Sequence, residues 1–325
     1  MTFIRLIGLL LLLAGISGYA KDTYSNPVIA ENLPDPCVLQ DGDRYYLYAT
    51  ESKGKMPIYS STNLVEWEFV GNAFSPEARP SHLENGQLWA PDIKKIGGKY
   101  VLAYSESRWM ENKENGIGIA VAKSPNGPFK DQGLLFTSQQ IGVGNSIDPS
   151  FYEENGELYL IWGSMGGIYL IQLDAKTLKI KTGTEKVKIA GRGIEGSHIF
   201  KYNGYYYLFA STGSCCKGKD STYRVIVGRA DNLKGPYNSY DGSLLDKDSS
   251  NLLISGNEKF VGTGHGSTII TDKTGCTWYV YHSYLRDNPG KGRLVLLDKI
   301  EWTEDGWPYI NTGTPSTKDV RSPKL

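Results

Sequence analysis

Five aromatic, strand-like segments recur along the chain and constrain its fold more than any other feature. Each segment is rich in Tyr, Phe or Trp, and a second apolar segment and a polar turn follow it, as in "GELYLIWGSMG" and "IYLIQLDAKTLKI". The residues that end the five segments are Thr50, Ser105, Ser164, Ser211 and Ser283. Repeats with a period of roughly 40–60 residues, built from short strands alone, are typical of β-propeller blades.

The repeats predict an all-β chain with one five-bladed β-propeller domain over residues 21–325. Aromatic residues make up 12% of the sequence, which favours pleated strands, and no Pro-rich or charged linker interrupts the series. A two-sheet β-sandwich is the alternative architecture. The equivalent strand order in all five units argues against it.

The N-terminal segment, residues 1–20, has the pattern of a secretory signal peptide. Arg5 precedes a short apolar run over residues 6–16, and Gly18 and Ala20 have the spacing of a cleavage site after Ala20. A membrane anchor is the alternative, but the run is shorter than the roughly 20 apolar residues that span a bilayer. We therefore expect export, to the periplasm or the medium, and no membrane span.

The charge balance and the cysteines narrow the classes of partner. Lys and Arg number 35, as do Asp and Glu, so the chain has no net charge. This argues against nucleic acid or an anionic membrane as partner and favours a neutral polysaccharide or a small molecule. Four cysteines are too few for a disulfide framework in a chain of this length, and we expect mostly buried thiols. These are Cys37, Cys215, Cys216 and Cys276.

One ionisable residue opens each repeat, at a similar distance before the end of its aromatic segment. The five openers are Asp35, Asp92, Asp148, Glu195 and His265. The first strand of a propeller blade lines the central channel, so we expect these side chains to converge at one end of it. Crowded carboxyls acquire different pKa values, as a general acid and a general base require. The alternative is that each Asp caps a turn, for which Asp-Pro at Asp35 and Asp148 is well suited.

Other side chains near the predicted site suit a carbohydrate. Trp89, Trp109 and Trp162 are candidates for stacking on a sugar ring, with the blade core as the alternative for each. Arg293 is expected to reach the acids from the fifth repeat, with a structural ion pair as the alternative. His265 stands between glycines in "GTGHGS" and is either a core histidine or a channel residue that binds an ion or water.

Several of these motifs together resemble glycoside hydrolase family 43, over nearly the whole of residues 21–325. They are "NLPDP", "WAPD", "SIDPSFYEENGELYLIWGS", "IEGSHIFKYNGYYYLFAS", "GHGS" and "EDGWP". The resemblance implies a propeller that hydrolyses arabinose- or xylose-containing polymers with inversion. It implies Asp35 as general base, Glu195 as general acid and Asp148 as the residue that tunes and orients the acid. It also implies a central ion at His265, often calcium held largely through water, with no organic cofactor.

A further segment, "GSCCKGKDSTYRVIVGRADNLKGPY", resembles the arabinan-hydrolysing branch of that family. It implies α-1,5-linked L-arabinofuranosyl bonds of plant cell-wall arabinan as the substrate. Trp89, Asp92 and Arg293 would bind the sugar, and we expect a monomer. Arabinanases often have His at the position of Pro34 and Pro at that of Ser197, and these departures leave endo and exo action open. The alternative is an exo-acting α-L-arabinofuranosidase or a β-xylosidase on arabinoxylan- or xylan-derived oligomers.

Two other classes fit the sequence less well. A non-catalytic sugar-binding propeller would keep the aromatic residues and lose the carboxylates, which are all present here. The retaining fructan-hydrolase architecture carries Arg-Asp-Pro and Glu-Cys patterns. In this chain Ile147 precedes Asp148, and Gly196 follows Glu195.

Overall fold

Five antiparallel sheets, each a meander of strands that are consecutive along the chain, form the blades of a β-propeller. They are seen in a computed structural model that describes residues 22–266 and 268–325. The prediction of an all-β, five-bladed propeller is confirmed. The predicted signal peptide, residues 1–20, lies outside the described residues. Within the described ranges, we find no helix with the length and apolarity that a membrane crossing needs.

The first two blades contain four strands each. A short strand, β1 (Thr23–Tyr24), precedes them. Blade 1 consists of β2 (Cys37–Asp41), β3 (Arg44–Tyr48), β4 (Pro57–Ser61) and β5 (Glu68–Asn72). Blade 2 consists of β6 (Gln87–Ile96), β7 (Lys99–Ser107), β8 (Gly116–Ala122) and β9 (Lys130–Thr137).

The last three blades vary more in their outer strands. Blade 3 consists of β10 (Ser150–Glu154), β11 (Glu157–Trp162), β12 (Ile168–Asp174), β13 (Lys179–Ile180) and β14 (Val187–Ala190). Blade 4 consists of β15 (Ile194–Tyr202), β16 (Tyr205–Thr212), β17 (Arg224–Ala230) and β18 (Leu252–Ile254). Blade 5 consists of β19 (Phe260–Gly264), β20 (Ile270–Thr271), β21 (Thr277–Leu285), β22 (Leu294–Trp302) and β23 (Pro308–Tyr309), and β24 (Val320–Arg321) follows it.

Helical structure in the described residues is confined to single turns between strands. One is the α-helix α1 (Ser138–Ile141), which Thr137 caps through a reciprocal pair of hydrogen bonds with Gln140. The others are 3₁₀ turns at Pro76–Ala78, Gly218–Asp220 and Pro289–Lys291.

Five clusters of buried apolar side chains join the blades, and each cluster lies between two neighbouring blades. In blade 1, Leu47 packs toward blade 5 and Tyr48 packs toward blade 2. Successive side chains of a strand point to opposite faces, so the second strand of the blade is buried on both of them. A strand buried on both faces has no polar side to alternate with, which explains the continuous aromatic and apolar runs of the repeats.

The N-terminal segment closes the ring by binding to the outer edge of β22. β1 pairs with β24, and the N–H groups of Val28 and Ile29 both donate to the carbonyl oxygen of Val295. The side chain of Asn26 donates to the carbonyl of Leu297 at 3.0 Å and accepts the N–H of the same residue at 2.9 Å. Residues that are far apart along the chain therefore hold blade 5 next to blade 1.

Candidate active site

The residue that opens each blade is hydrogen-bonded to the end of the second strand of the preceding blade. At three junctions a backbone N–H donates to a strand-ending hydroxyl, in the pairs Ala90 with Thr50, Asp148 with Ser105 and His265 with Ser211, at 2.7, 2.8 and 2.8 Å. Between blades 3 and 4 the hydroxyl of Ser164 instead donates to the Glu195 carboxylate at 2.6 Å. Between blades 5 and 1 the N–H of Asp35 donates to Nδ1 of His282 at 3.0 Å. This ring of contacts brings Asp35, Asp148, Glu195 and His265 to the same end of the channel.

Asp92 is the opener that lies furthest from its expected position, and Glu195 also differs, since it lies one residue before the left-handed Gly196. The position equivalent to Asp35 in blade 2 is Ala90, which has the same left-handed backbone, with φ of 42° against 54° for Asp35. Asp92 lies two residues further along β6, beyond a bulge, and its carboxylate accepts the N–H of Phe151 in blade 3 at 2.6 Å. The expected equivalence of Asp92 with Asp35 is therefore wrong, and its part in substrate binding stays a prediction.

Asp35 is a buried carboxylate surrounded by positive and hydrogen-bonding groups. Its Oδ1 accepts a hydrogen bond from Arg293 at 3.0 Å, and its Oδ2 accepts one from the Thr50 hydroxyl at 2.6 Å. The Nδ1 atoms of His265 and His282 lie 3.4 and 3.5 Å from Oδ1. Burial alone would raise the pKa of Asp35, but the charge of Arg293 and the hydrogen bond from Thr50 outweigh it and hold that pKa well below its usual range. Asp35 is thus ionised at neutral pH, and Arg293 reaches the site as predicted.

Asp148 and Glu195 form a second group of carboxyls at the same end of the channel. The Oδ2 of Asp148 accepts the N–H of Gly196 at 3.1 Å, which ties it to the backbone next to Glu195. Burial, and after it the negative charges of Glu195 and Asp35, raises the pKa of Asp148 well above its ordinary value. The Oε1 of Glu195 accepts a hydrogen bond from the Tyr223 hydroxyl at 2.8 Å. The site therefore combines a carboxyl whose pKa is lowered with a second carboxyl whose pKa is raised.

Glycines allow the openers of blades 4 and 5 to approach each other. Gly196 has φ of +55°, and a Cβ at this position would come within 2.8 Å of the His265 ring. A Cβ at Gly264 would come within 2.3 Å of the Tyr223 ring. Side chains at these two positions would push His265 or Tyr223 away from Glu195.

A small cavity of about 50 Å³ lies beside these carboxyls. Asp92, Asp148, His198 and His265 are among the residues that line it. Neither ring nitrogen of His198 has a hydrogen-bond partner within the described residues, and burial, with a smaller contribution from His265, lowers the pKa of His198 to about 3. Burial also lowers the pKa of His265. Both imidazoles are therefore neutral at pH 7 and present acceptor nitrogens.

The lining of this cavity offers little direct coordination to a calcium ion. Calcium prefers six to eight oxygen ligands. In residues 22–266 and 268–325, no three His, Cys, Asp or Glu side chains converge as metal ligands. A volume of about 50 Å³ has room for one or two waters or an ion. An ion in this cavity would be held mainly through water.

The three tryptophan candidates divide between the channel mouth and the core. Trp89 directly precedes Ala90, and its ring centroid lies 5.9 Å from that of Trp109, which is 70% exposed. Trp162 is fully buried in the cluster between blades 2 and 3, in agreement with the core alternative. Trp89 and Trp109 therefore form an aromatic pair near the channel mouth, and their stacking on a sugar stays a prediction.

The expectation of buried thiols holds for Cys37 but is wrong for the adjacent pair. Cys215 and Cys216 form a disulfide in the loop between β16 and β17, and Cys276 is a free, half-buried thiol. This loop leads directly into Tyr223, which binds Glu195. The spacing of four cysteines does not indicate which of them meet.

Sequence reasoning did not assign a role to two residues that contact the carboxylates. His282 directly precedes the predicted strand end Ser283 and takes the place that a hydroxyl occupies in blades 1, 2 and 4. Tyr223 belongs to the "STY" motif, which contributed to the family resemblance. The motif did not predict the hydrogen bond from Tyr223 to Glu195. The equivalence of His282 with Thr50, Ser105 and Ser211 could have indicated its role, but His282 lies one residue before the predicted strand end Ser283.

The chain matches known glycoside hydrolases over most of its length. The family model described as "Glycosyl hydrolases family 43" matches residues 24–308. An extracellular exo-α-(1→5)-L-arabinofuranosidase of Cellvibrio japonicus is 33% identical over 303 residues, covering 85% of this chain and 86% of the relative. An extracellular endo-α-(1→5)-L-arabinanase of Bacillus subtilis is 32% identical over 295 residues, covering 86% of this chain and 87% of the relative. A solved α-L-arabinanase of Cellvibrio cellulosa, in complex with arabinohexaose, has a TM-score of 0.77 and 29% identity, covering 86% of this chain and 96% of that one.

Proposed function

Because this chain belongs to glycoside hydrolase family 43, we propose that it hydrolyses α-1,5-linked L-arabinofuranosyl bonds in arabinan or arabino-oligosaccharides. It is a glycoside hydrolase, and two of its relatives are named for the α-(1→5)-L-arabinose linkage. One of the two is named as an exo enzyme and the other as an endo enzyme. The proposal therefore specifies the linkage and leaves the position of cleavage to the experiment.

The observation that carries the proposal is the contrast between Asp35 and the pair Asp148–Glu195. Hydrolysis with inversion needs one ionised carboxylate to activate water and one proton donor on the other side of the glycosidic bond. Arg293 and the Thr50 hydroxyl lower the pKa of Asp35, whereas burial and neighbouring negative charge raise that of Asp148. The site thus has one carboxyl that favours its charged form, as a base requires, and one that favours its neutral form.

In the proposed reaction, Asp35 accepts a proton from water as the water oxygen attacks the anomeric carbon. Glu195 donates a proton to the leaving oxygen as the glycosidic bond breaks. After this step Asp35 is protonated and Glu195 is ionised, and proton exchange with solvent restores the starting state. Asp148 is a positioning residue, since it binds the Gly196 N–H beside Glu195 and its charge state affects the acid. Arg293 holds Asp35 in place, and Trp89 and Asp92 are proposed to contact the sugar.

Product analysis tests the proposal most directly. The enzyme is incubated with linear 1,5-arabinan, with debranched arabino-oligosaccharides and with xylan oligomers, and the products are separated by anion-exchange chromatography. Arabinose alone from the chain end indicates exo action, and a ladder of oligomers indicates endo action. Release of xylose from xylan oligomers with no product from arabinan would contradict the proposed substrate.

An ion in the small cavity beside His265 is a further part of the proposal. The support is the volume of about 50 Å³ and the neutral imidazoles of His198 and His265 on its wall. If calcium occupies it through water ligands, elemental analysis finds about one calcium per chain, and chelation lowers the melting temperature. A metal-free protein with the same melting temperature before and after chelation would contradict the ion.

We also propose that the protein is exported and acts on plant cell-wall polysaccharide as a monomer. The support for export is the N-terminal sequence and the word "extracellular" in the names of two relatives. Mass spectrometry of the protein recovered from its native host should give a mature N-terminus at Lys21. Light scattering should give the mass of one chain.

A further inference from the structure

A second, larger cavity opens on the face of the propeller opposite to the catalytic carboxyls. Its volume is about 590 Å³. β15 begins beside Glu195 and runs to Tyr202, and β16 starts back at Tyr205, which lines this cavity. An extended strand of the length of β15 spans roughly 26 Å, so the cavity is about that far from Glu195. It is therefore separate from the channel mouth.

A long loop that is particular to blade 4 builds one side of this cavity. The loop, residues 231–251, joins β17 to β18, whereas the much shorter segment 123–129 joins the equivalent strands of blade 2. It folds back on the blade through bridges from Asn238 to Arg229 and to Leu244. The turn after β22 in blade 5 forms the other side. The extra chain length thus supplies one wall of the cavity.

Aromatic rings stand exposed in this cavity and are held in place. The Arg229 guanidinium lies 4.5 Å from the ring centroid of Tyr205 and 4.6 Å from that of Trp307. The Tyr240 ring lies 5.3 Å from the Trp307 ring, and its hydroxyl donates to the Asp305 carboxylate at 3.0 Å. Nevertheless, 64% of Tyr240 and 38% of Tyr205 are exposed. These rings are fixed before any ligand arrives, which lowers the entropic cost of binding.

The chemistry of the cavity fits a neutral sugar. An exposed tyrosine ring suits the apolar C–H face of a sugar, and carboxylates and amides suit its hydroxyl groups. Asp231, Asp305 and Asn232 line the cavity and supply such groups. Two carboxylates against one guanidinium disfavour an anionic ligand, and the many polar groups disfavour an apolar one.

We propose that this cavity is a non-catalytic binding site for a neutral polysaccharide chain, with Tyr240 as its stacking surface. It holds the polymer on one face of the propeller, while the carboxyls at the opposite face cleave. The choice of arabinan as ligand rests on the proposed function; the site itself rests on the rings and polar groups described above.

Electrophoresis in native gels that contain polysaccharide tests the site. All proteins carry Glu195→Gln, which prevents hydrolysis during the run, and the gels contain debranched arabinan or xylan. Tyr240→Ala is expected to raise the apparent Kd by about fivefold, since it removes one ring contact. Tyr240→Phe keeps the ring and is expected to retain most of the binding. The control is Tyr309→Ala, a 40%-exposed tyrosine in β23 outside this cavity, which should bind like the parent.

Hydrolysis assays without the Glu195 substitution complete the test. Tyr240→Ala should raise KM for polymeric arabinan and leave the rate on arabinotriose unchanged. Equal retardation of Tyr240→Ala and Tyr309→Ala in both gels, or no retardation of the parent in either, would overturn the site. A Tyr240-dependent retardation in xylan gels alone would support the site and contradict arabinan as substrate, which separates the two proposals.

Discussion

At the scale of single residues, the site depends on what surrounds each carboxyl rather than on the carboxyls themselves. Asp35 follows Pro34, and Asp148 follows Ile147. Both aspartates have a left-handed backbone and both are buried. Arg293 and Thr50 stabilise the charge of Asp35, whereas Asp148 has one backbone N–H and two negative neighbours. Similar residues in similar turns thus have pKa values that are shifted in opposite directions, which distinguishes the two sides of the site.

The roles of Asp35 and Glu195 can be separated by leaving group. Asp35→Ala is expected to lower kcat on all substrates by about 10²–10⁴-fold, because no other group activates the water. Glu195→Ala should cause a similar loss on arabinan but a much smaller one on aryl arabinofuranosides, whose leaving groups need less protonation. Azide should partly restore the Asp35→Ala variant. NMR of the first sugar released by the wild type should show the inverted anomer.

Asp41→Ala is the matched control for these variants. Asp41 binds Lys95 and Tyr100 at the end of β2 that points away from the channel mouth, so its loss should leave kcat unchanged. Near-full activity of either catalytic variant on arabinan, or a retained anomer, would contradict the assigned roles.

The raised pKa of Asp92 should make the free energy of unfolding depend on pH. Burial raises its pKa from 3.8 to about 6 in the folded chain, so the folded state holds a proton that the unfolded state has lost between these values. Its contribution to the free energy of unfolding therefore falls as pH rises from about 4 to 6, by about 3 kcal/mol at most. Asp92→Asn has no such proton and can still accept the Phe151 N–H. The difference in unfolding free energy between Asp92→Asn and wild type, measured in urea from pH 4 to 8, should grow up to pH 6 and then level. Parallel curves would show that Asp92 does not titrate in this range.

At the scale of strands, a hydroxyl at the end of the second strand joins one blade to the next at four of the five junctions. In blades 1, 2 and 4 this hydroxyl accepts the N–H of the residue that opens the following blade. Ser105 and Ser211 are fully buried, so no water can replace them as acceptors. The recurrence of Ser or Thr at the strand ends thus reflects the assembly of the channel mouth.

Removal of these hydroxyls should destabilise the fold. Ser105→Ala and Ser211→Ala are each expected to lower the free energy of unfolding by about 1–3 kcal/mol, because they leave without an acceptor the buried N–H of Asp148 and the part-buried N–H of His265. Ser107→Ala is the control, since Ser107 is equally buried in β7 and its hydroxyl makes only a long bond of 3.4 Å to the next carbonyl. Urea unfolding measures all three. A similar loss in Ser107→Ala would mean that the junction bonds contribute no more than ordinary packing.

At the scale of the whole molecule, the propeller is a closed ring whose ends meet at blade 5. Each apolar cluster is shared by two blades, so an open ring would expose the cluster between blades 5 and 1. The N-terminal segment covers this junction through Asn26 and through its pairing with Val295. The junction of blades 5 and 1 is therefore held by contacts between the two ends of the described chain.

Asn26 should be a weak point of this closure. Its side chain exchanges hydrogen bonds with the backbone of Leu297 and donates to Asp298 and Ser316. Asn26→Ala is expected to cost about 2–4 kcal/mol of unfolding free energy and to speed hydrogen exchange at the Leu297 amide. Ser25→Ala, an exposed neighbour bonded to exposed Asp319, should change stability by less than about 0.5 kcal/mol. Equal effects of the two substitutions would show that the segment does not close the ring.

The sequence alone determined the propeller and most of its site, and the tertiary structure decided how the site is connected. The repeats are local patterns, so counting from strand ends predicted the five blades and the openers Asp35, Asp148 and Glu195, the last of them to within one residue. The contact of Arg293 with Asp35 was expected from the place of Arg293 in the fifth repeat. Counting failed at Asp92, because a bulge in β6 shifts the register and leaves Ala90 at the equivalent position. His282 at Asp35, the Cys215–Cys216 disulfide and the closure by Asn26 were also not predicted. Most of these contacts join residues far apart along the chain, and all depend on how segments meet in space, which local residue patterns do not encode.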